Sequence, residues 1–290
     1  SFKLMTRVDQ FESVFLSAAR TVFEPEAVEI GSVLVICDGE GSAAEEFAAR
    51  ERSFLGVLDQ RENLRWATVQ GSEFSTVPDL LDRVKTERPG LICTHRHLHS
   101  ESWRWPYTLG EYVDVLTQAT TTPVLVIPHP ERPEFQELAG RRPRSVMAMT
   151  DHLTGDHRLV NYSAHFTEPG GRLLLGHVED DAIFERYMEA ISKIPTINTD
   201  TAREQIQARL LKDPENYIES CRKGLARSAP DLTVEAMVTS GHHIRAYRRL
   251  IEEQKVDLLV MNTKDEDQLA MHGLAYPLAI ELRAIPLLML

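Results

Sequence analysis

The sequence has few of the residues that would cross-link it or anchor it in a membrane. Its 290 residues include only three cysteines, Cys37, Cys93 and Cys221, and no Cys-x-x-Cys pair. Neither a disulfide framework nor a cysteine-rich zinc site is indicated, and a cytoplasmic location is expected. No apolar run approaches the roughly 18 residues that a membrane-spanning helix needs. A membrane is therefore not expected among the partners.

Positive charge and catalytic motifs are also scarce. Lysine and arginine total 32 against 44 acidic residues, which gives a formal net charge of -12. This excess of acids repels a phosphate backbone, so nucleic acid is not expected as a partner. The sequence contains neither a G-x-S-x-G nucleophile elbow nor a G-K-[ST] phosphate loop. Without such a motif no catalytic residue is assigned, and an enzyme is not expected.

Short apolar runs alternate with amphipathic stretches of helical length along the chain. Such an alternation predicts an α/β fold whose parallel sheet is buried on both faces. The predicted strands form two series: 2–8, 33–37, 64–69, 91–94 and 124–127, then 146–149, 173–178, 232–238, 258–261 and 286–290.

The two series share landmarks in the same order. Asp9 and Asp151 each follow the first predicted strand of a series. Gly110 lies thirteen residues before Pro123, and Gly273 lies thirteen residues before Pro286. A repeat of this period indicates a duplicated structural unit. The sequence therefore predicts two tandem domains, each with five strands.

A segment rich in proline and basic residues separates the two predicted domains. Domain 1 is placed at residues 1–130, an extended linker at 131–143, and domain 2 at 144–290. Domain 2 has an additional helical insertion at about 179–231. Its second helix is expected to end at Pro214, because proline removes a backbone donor and clashes with the preceding turn.

Four features occur in a fixed order: a strand ending in Asp, a strand closing on an apolar and an acidic residue, a Leu-Ile-x-x-Thr strand, and a glycine before a helix that leads to Pro-Val-Leu-Val-Ile. Together they resemble the universal stress protein family, as a tandem pair that covers nearly the whole chain. The resemblance implies Rossmann-like doubly wound domains with mostly parallel sheets. It also implies a role in stress response, in a family where one branch binds ATP and another does not.

The loops that grip ATP in this family are altered here. In the ATP-binding branch the fourth strand ends in Gly-x-x-Gly, and glycines let backbone N–H groups approach phosphates. Cys93 and Arg96 stand at those positions in the first half, and Asn262 and Asp265 stand there in the second. We therefore expect no standard triphosphate site and no resident cofactor.

Other family contacts are less changed, and the resemblance implies a vestigial nucleotide site. Two aspartates match the acid that faces the nucleoside, and two apolar side chains match the adenine contact. Strand-end capping and core packing are the simpler interpretation of both pairs. Arg96 could still hold a small mono-anion. The vestigial set is Asp9, Cys37, Thr94, Arg96 and Gly110 in the first half and Asp151, Val178, Thr263 and Gly273 in the second.

Three histidines alternate after a predicted buried strand. His95, His97 and His99 could place two imidazoles on one face, and with an acid such as Glu101 they could bind zinc or nickel. The spacing identifies no third ligand, however. Solvent-facing or internally bonded histidines are the alternative interpretation.

The sequence favours a non-catalytic, cytoplasmic stress-response protein that acts through a client protein or an undetermined small ligand. One alternative is a member that binds ATP or AMP through altered loops, with slow ATP hydrolysis. Another is a metal-binding protein built on the three histidines. Each half ends in an apolar strand, 124–127 and 287–290, and such edges need a partner. We expect an intramolecular pseudo-dimer of the two halves, which could pair again into a homodimer.

Overall fold

The computed structural model describes residues 20–105, 107–150, 152–263 and 275–290. Several sequence predictions fall outside these ranges: the first predicted strand, Asp9, Asp151 and Gly273.

The described part of the first half alternates strands with helices. Its strands are β1 (Ser32–Ile36), β2 (Arg65–Val69), β3 (Leu91–His95) and β4 (Val124–Ile127). Its helices are α1 (Ser42–Phe54), α2 (Gly56–Arg61), α3 (Val77–Glu87), α4 (Glu111–Ala119) and α5 (Pro133–Glu137). Helix α5 lies inside the predicted linker, where its Phe135 stacks on Phe47 with ring centres 6.0 Å apart. The linker is therefore partly helical and packed rather than extended throughout.

The second half has the same alternation of strands and helices. Its strands are β5 (Ser145–Thr150), β6 (Arg172–Asp180), β7 (Thr233–Gly241), β8 (Leu258–Met261) and β9 (Leu287–Met289). Its helices are α6 (His157–Phe166), α7 (Asp181–Ser192), α8 (Thr199–Ser228), α9 (His243–Gln254) and α10 (Ala275–Glu281). Among the described residues, no helix combines the length and the apolar composition needed to cross a membrane.

All nine of these strands belong to one sheet, in the order β2-β1-β3-β4-β9-β8-β5-β6-β7. Neighbouring strands run parallel except β4 and β9, which pair antiparallel with Leu125 opposite Leu288. The predicted α/β class with a mostly parallel sheet is confirmed. Because β4 and β9 end the two halves of the chain, their pairing makes the sheet continuous from one half to the other.

Side chains alternate between the two faces of this sheet. Val33 and Val35 of β1 belong to one hydrophobic cluster, while Leu34 and Ile36 belong to a second. This alternation follows from the two-residue period of a strand. Both clusters are buried under helices, which explains why central strands such as β4 and β8 are apolar along their whole length.

The predicted register of the repeat is wrong in the first half. β1 lies between β2 and β3, as β5 lies between β6 and β8. β1 is therefore the counterpart of β5, although the sequence repeat matched it to β6. Asp38, the second residue after β1, therefore takes the place in the fold that the sequence repeat predicted for Asp9. The described part of the first half contributes four strands to the sheet, and the remaining predicted strand, 2–8, lies outside the described residues.

Pro214 does not end its helix, contrary to the prediction. Helix α8 runs for 30 residues with Pro214 inside it. Proline removes one intrahelical hydrogen bond and usually kinks the chain. The turn that follows is held by packing, because Tyr217 and Ile218 are buried in the core. Tertiary burial thus outweighs the local preference.

Candidate functional site

The carboxyl ends of β1, β3 and β4 meet at one edge of the sheet. β1 pairs with β2 on one side and with β3 on the other. The two strands that follow β1 in the chain therefore lie on opposite sides of it. Such a switch point is where open α/β sheets bind ligands. Asp38 follows β1, His95 ends β3, and His129 follows β4.

These three residues form a compact group, which we call the Asp38–His95–His129 cluster. One donor atom from each residue lies within 4.8 Å of the other two. Oδ1 of Asp38 is 3.1 Å from Nε2 of His95, and the rings of His95 and His129 meet edge to face with centres 5.0 Å apart. His95 is fully buried, whereas the Asp38 side chain is 24% exposed. The cluster therefore faces solvent on the aspartate side.

Aromatic rings enclose the cluster on its other sides. Phe47 of α1 meets the His95 ring edge to face at 5.3 Å. Trp103 stacks on His129 with ring centres 5.4 Å apart and planes 16° apart. Apolar walls exclude water and strengthen electrostatic interactions within them.

Backbone groups hold the three side chains in place. Nδ1 of His95 donates to the carbonyl of Arg96 at 2.8 Å. Oδ2 of Asp38 accepts the N–H of His99 at 3.0 Å. Nδ1 of His129 accepts the N–H of Glu131 at 3.1 Å. These bonds leave Nε2 of His95 and Oδ1 of Asp38 next to one another, 3.1 Å apart.

The pKa values of two cluster residues are lowered. Burial alone would raise the pKa of Asp38, but the contact with His95 and its charge outweigh burial and bring that pKa to about 2. Burial, followed by the charge of His95, lowers the pKa of His129 to about 4. At neutral pH the Asp38 carboxylate is therefore ionised and the His129 imidazole is neutral.

The two threonines of the vestigial nucleotide set are used inside the sheet. Oγ1 of Thr94 donates to the carbonyl of Ile36 at 2.9 Å. Oγ1 of Thr263 donates to the carbonyl of Leu290 at 2.9 Å. Both side chains are buried. Their hydroxyls thus stabilise neighbouring strands and are not free for a ligand.

Arg96 contacts the other half of the chain. Its Nη2 donates to the carbonyls of Ala279 at 2.5 Å and Leu282 at 3.0 Å, at the end of α10. The side chain is only 3% exposed. Burial, followed by the charge of Arg283, lowers the pKa of Arg96 to about 9. The cation predicted to hold a small anion instead binds backbone carbonyls at a helix C-terminus, where a positive charge is favourable.

The remaining described members of the set have structural roles. Gly110 has φ +95°, and a Cβ there would lie 2.8 Å from the Cα of His97. A close backbone approach therefore requires this glycine. Val178 is core, and its carbonyl bonds to His243 at 2.6 Å. Burial raises the pKa of Cys37 to about 11, so its sulfur remains a thiol.

The three alternating histidines do not form one site. His97 and His99 have positive φ values of 59° and 52°, so the extended strand ends at His95 and the expected common face is lost. Nε2 of His99 bonds instead to the carbonyl of Phe74 at 3.0 Å. Of the three, His95 alone joins the cluster, and Glu101 is not part of it.

Sequence reasoning missed Asp38 and His129. Neither residue is among the predicted site residues, and His129 lies at the end of predicted domain 1, before the predicted linker at 131–143. A usable signal was present in both cases, because each is the second residue after a buried strand. The carboxyl ends of parallel strands meet at one edge, so residues just after two such strands are expected to come together.

A buried acid on α1, Glu51, contacts β3. Sγ of Cys93 donates to Oε2 of Glu51 at 3.1 Å, and both residues are buried. Burial raises the pKa of Glu51 to about 7, although the Cys93 thiol and the charge of Arg50 act in the opposite direction. The cysteine that replaces a family glycine thus has a structural partner.

We expect Glu51→Gln to weaken the pH dependence of stability. A carboxyl group whose pKa is raised by folding stabilises the protein most below its ordinary pKa of 4.5. That stability is lost as the pH rises from 4.5 to about 7, by on the order of 3 kcal/mol. The amide does not titrate, so the variant should gain on the parent across this window. Urea midpoints at pH 4 to 8 measure the effect, with Glu46→Gln on the exposed face of α1 as the control. Parallel curves for the parent and Glu51→Gln would contradict the assignment.

Comparison with known proteins places the fold. No protein-family model matches the sequence, and a comparison with curated proteins finds no match either. The structure is similar to that of a universal stress protein from Pseudomonas aeruginosa, with a TM-score of 0.53 and 15% identity, over 90% of this chain and 93% of that one. A universal stress protein from Archaeoglobus fulgidus matches with a TM-score of 0.49 and 11% identity, over 90% of this chain and 98% of that one. At 15% identity the similarity to the Pseudomonas aeruginosa protein concerns the fold alone, and the universal stress protein fold predicted from the sequence is confirmed.

Proposed function

We propose that this protein is a non-catalytic member of the universal stress protein family. It acts in the cytoplasm through contacts with a client protein or through a small ligand other than a nucleoside triphosphate. Its own chain forms the pseudo-dimer in which the two halves pair. It requires no nucleotide as a resident cofactor.

The loop after β3 is the observation that carries this proposal. In a phosphate-binding loop, backbone N–H groups point at the anion. Here the N–H of Arg96 donates to the carbonyl of Ile127 at 3.1 Å, and the N–H of His97 donates to the carbonyl of Leu109 at 2.8 Å. Donors that a triphosphate would need are therefore already bonded to the protein.

Charge in the same region also opposes a triphosphate. Asp38 is ionised at neutral pH because its pKa is about 2. Glu111 begins α4 and adds a second carboxylate, at a position where the resemblance to the ATP-binding branch implies a hydroxyl. Arg96, the nearest candidate to offset these charges, is bonded to α10. Like charges would thus meet the phosphates without a compensating donor.

Exposed aromatic side chains support an action through protein contacts. Trp105 is 69% exposed and Tyr107 is 77% exposed, both in the loop that joins β3 to α4. Tryptophan and tyrosine are enriched among the residues that contribute most to binding at protein interfaces.

The cysteines are consistent with a reducing compartment. Cys37, Cys93 and Cys221 are all buried as free thiols.

We expect ATP with magnesium to show no calorimetric binding with a Kd below about 100 μM, which corresponds to a free energy weaker than roughly -5.5 kcal/mol. The same result is expected for AMP. The reason is that the loop donors and hydroxyls are occupied. Low-micromolar binding that is lost in Thr94→Val or Asp38→Asn, with Thr121→Val at an exposed position as the control, would instead establish the nucleotide-binding alternative.

A further inference from the structure

We propose that the Asp38–His95–His129 cluster binds one divalent transition-metal ion, with zinc as the best fit. The ligands are one carboxylate oxygen and two imidazole nitrogens. This inference goes beyond the proposed function and does not depend on it, because the cluster could hold a metal whether or not a nucleotide binds nearby.

The tautomer of His95 is the first argument. A backbone carbonyl only accepts hydrogen bonds, so the bond from Nδ1 to the carbonyl of Arg96 places a proton on Nδ1. In the neutral ring Nε2 then presents a lone pair, which faces Oδ1 of Asp38 at 3.1 Å. Two electron-rich atoms at this distance need a positive charge between them.

The geometry favours a metal ion over a proton for that charge. Nε2 of His95 is buried and is not aligned for a hydrogen bond to any described residue, although Oδ1 is close. A metal binds off the line that joins its two donors. With metal–ligand distances of about 2.05 Å, donors that are 3.1 Å apart define an angle at the metal of about 98°. Such an angle suits a distorted tetrahedral site.

His129 supplies the third ligand after a small rearrangement. Its donor atom lies within 4.8 Å of the other two, and a tetrahedral zinc site spaces its donors by about 3.3 Å. Whichever ring nitrogen binds the metal, the hydrogen bond from the N–H of Glu131 to Nδ1 is lost. That loss is one local hydrogen bond, which is small compared with the free energy of forming a zinc site.

The surroundings have the features of a metal site. A metal-binding histidine usually donates its other ring N–H to a carbonyl or carboxylate, as His95 does to Arg96. Asp38 is held by the N–H of His99 and is also the exposed member, so it offers a path for entry. Two nitrogens and one oxygen favour zinc and its first-row neighbours over magnesium or calcium. Three protein ligands leave one coordination position open.

The test is a metal titration of the full chain, purified without a histidine tag and stripped with a chelator. Zinc is added in competition with a chromophoric chelator, and cobalt is added separately to read the coordination geometry from its visible absorption. We expect one zinc per chain with a Kd below about 1 μM and an intense cobalt spectrum typical of tetrahedral sites. Asp38→Asn and His129→Gln should each weaken zinc binding at least 100-fold.

His177→Gln is the matched control. His177 is also a buried histidine beside a carboxylate, with Nε2 3.0 Å from Oε2 of Glu179, but no third ligand joins this pair among the described residues. The control should bind zinc like the parent. The proposal is overturned if the parent binds no zinc, or if the Asp38 and His129 variants, shown to be folded by circular dichroism, bind zinc as the parent does.

Discussion

Truncation after Arg283 is expected to give a chain that aggregates or unfolds. The deleted residues, 284–290, include β9, which lies between β4 and β8 in the middle of the sheet. Removing β9 leaves both neighbours with an unpaired edge, and an exposed apolar edge promotes association. The deletion also removes six buried residues, 285–290, among them Leu287, Leu288, Met289 and Leu290. Replacing one such side chain with alanine typically costs about 2–5 kcal/mol, whereas a domain is stable by only about 5–15 kcal/mol.

A point substitution tests the same strand without shortening the chain. Leu288 is fully buried and lies opposite Leu125 on one side and Val260 on the other. Leu288→Asp should therefore cause a comparable loss of soluble protein or a large fall in melting temperature. Ala284→Asp, at an exposed position in the preceding turn, is the matched control and should change little. Size-exclusion chromatography and thermal unfolding measure both. A soluble truncated chain with an unchanged melting temperature would show that β9 is not part of the core.

Arg96→Ala is expected to destabilise the protein by about 3 kcal/mol or more. Each hydrogen bond from a charged donor contributes about 1.5–3 kcal/mol, and Arg96 makes two with the carbonyls of Ala279 and Leu282. The alanine variant leaves these carbonyls without their donor and opens a cavity at a buried position. Because the bonds join the first half to α10 of the second half, part of the lost stability should come from weaker packing between the two halves. Denaturant unfolding measures the change.

Two further variants separate the causes of that effect. Arg96→Met keeps most of the side-chain volume but donates no hydrogen bond, so it should fall between the parent and Arg96→Ala. Arg104→Ala removes an arginine from the same loop whose ion pair with Glu101 is exposed, and exposed pairs contribute about 0–1 kcal/mol. An Arg96→Ala variant as stable as Arg104→Ala would contradict a binding role for Arg96 between the halves.

The fold was largely predictable because its strands are buried on both faces. A run such as Val124 to Ile127 has no polar position, so the strand and its place in a parallel sheet follow from composition alone. The order of the strands was harder to predict. An aspartate follows both the first predicted strand and β1, and nothing local shows which strand lies beside β3. Hydrogen-bond partners decide this, and they are a long-range property. The prediction that the helix ends at Pro214 is wrong for the same reason, because core packing, which is also long-range, holds the helix together.

The candidate site was predicted only in part. His95 is the first of the three alternating histidines, and the sequence indicates it as a candidate ligand. The prediction of a common face, however, assumed that the strand continues past His95, where it ends. The backbone has positive φ at His97 and His99. Histidine does not specifically favour that conformation, so the sequence does not show that the chain turns there. Asp38 and His129 are far from His95 along the chain and meet it only through the parallel sheet. A site built from three strand ends requires the correct strand order first.

Native mass spectrometry of freshly purified, untagged full chain tests the central claim most directly, namely that the edge formed by β1, β3 and β4 does not hold a nucleotide. The account predicts a spectrum of the polypeptide alone or with one metal ion, and the same measurement reports the number of subunits. A stoichiometric adduct with the mass of ATP or AMP, retained through purification and lost in Asp38→Asn, would contradict the account.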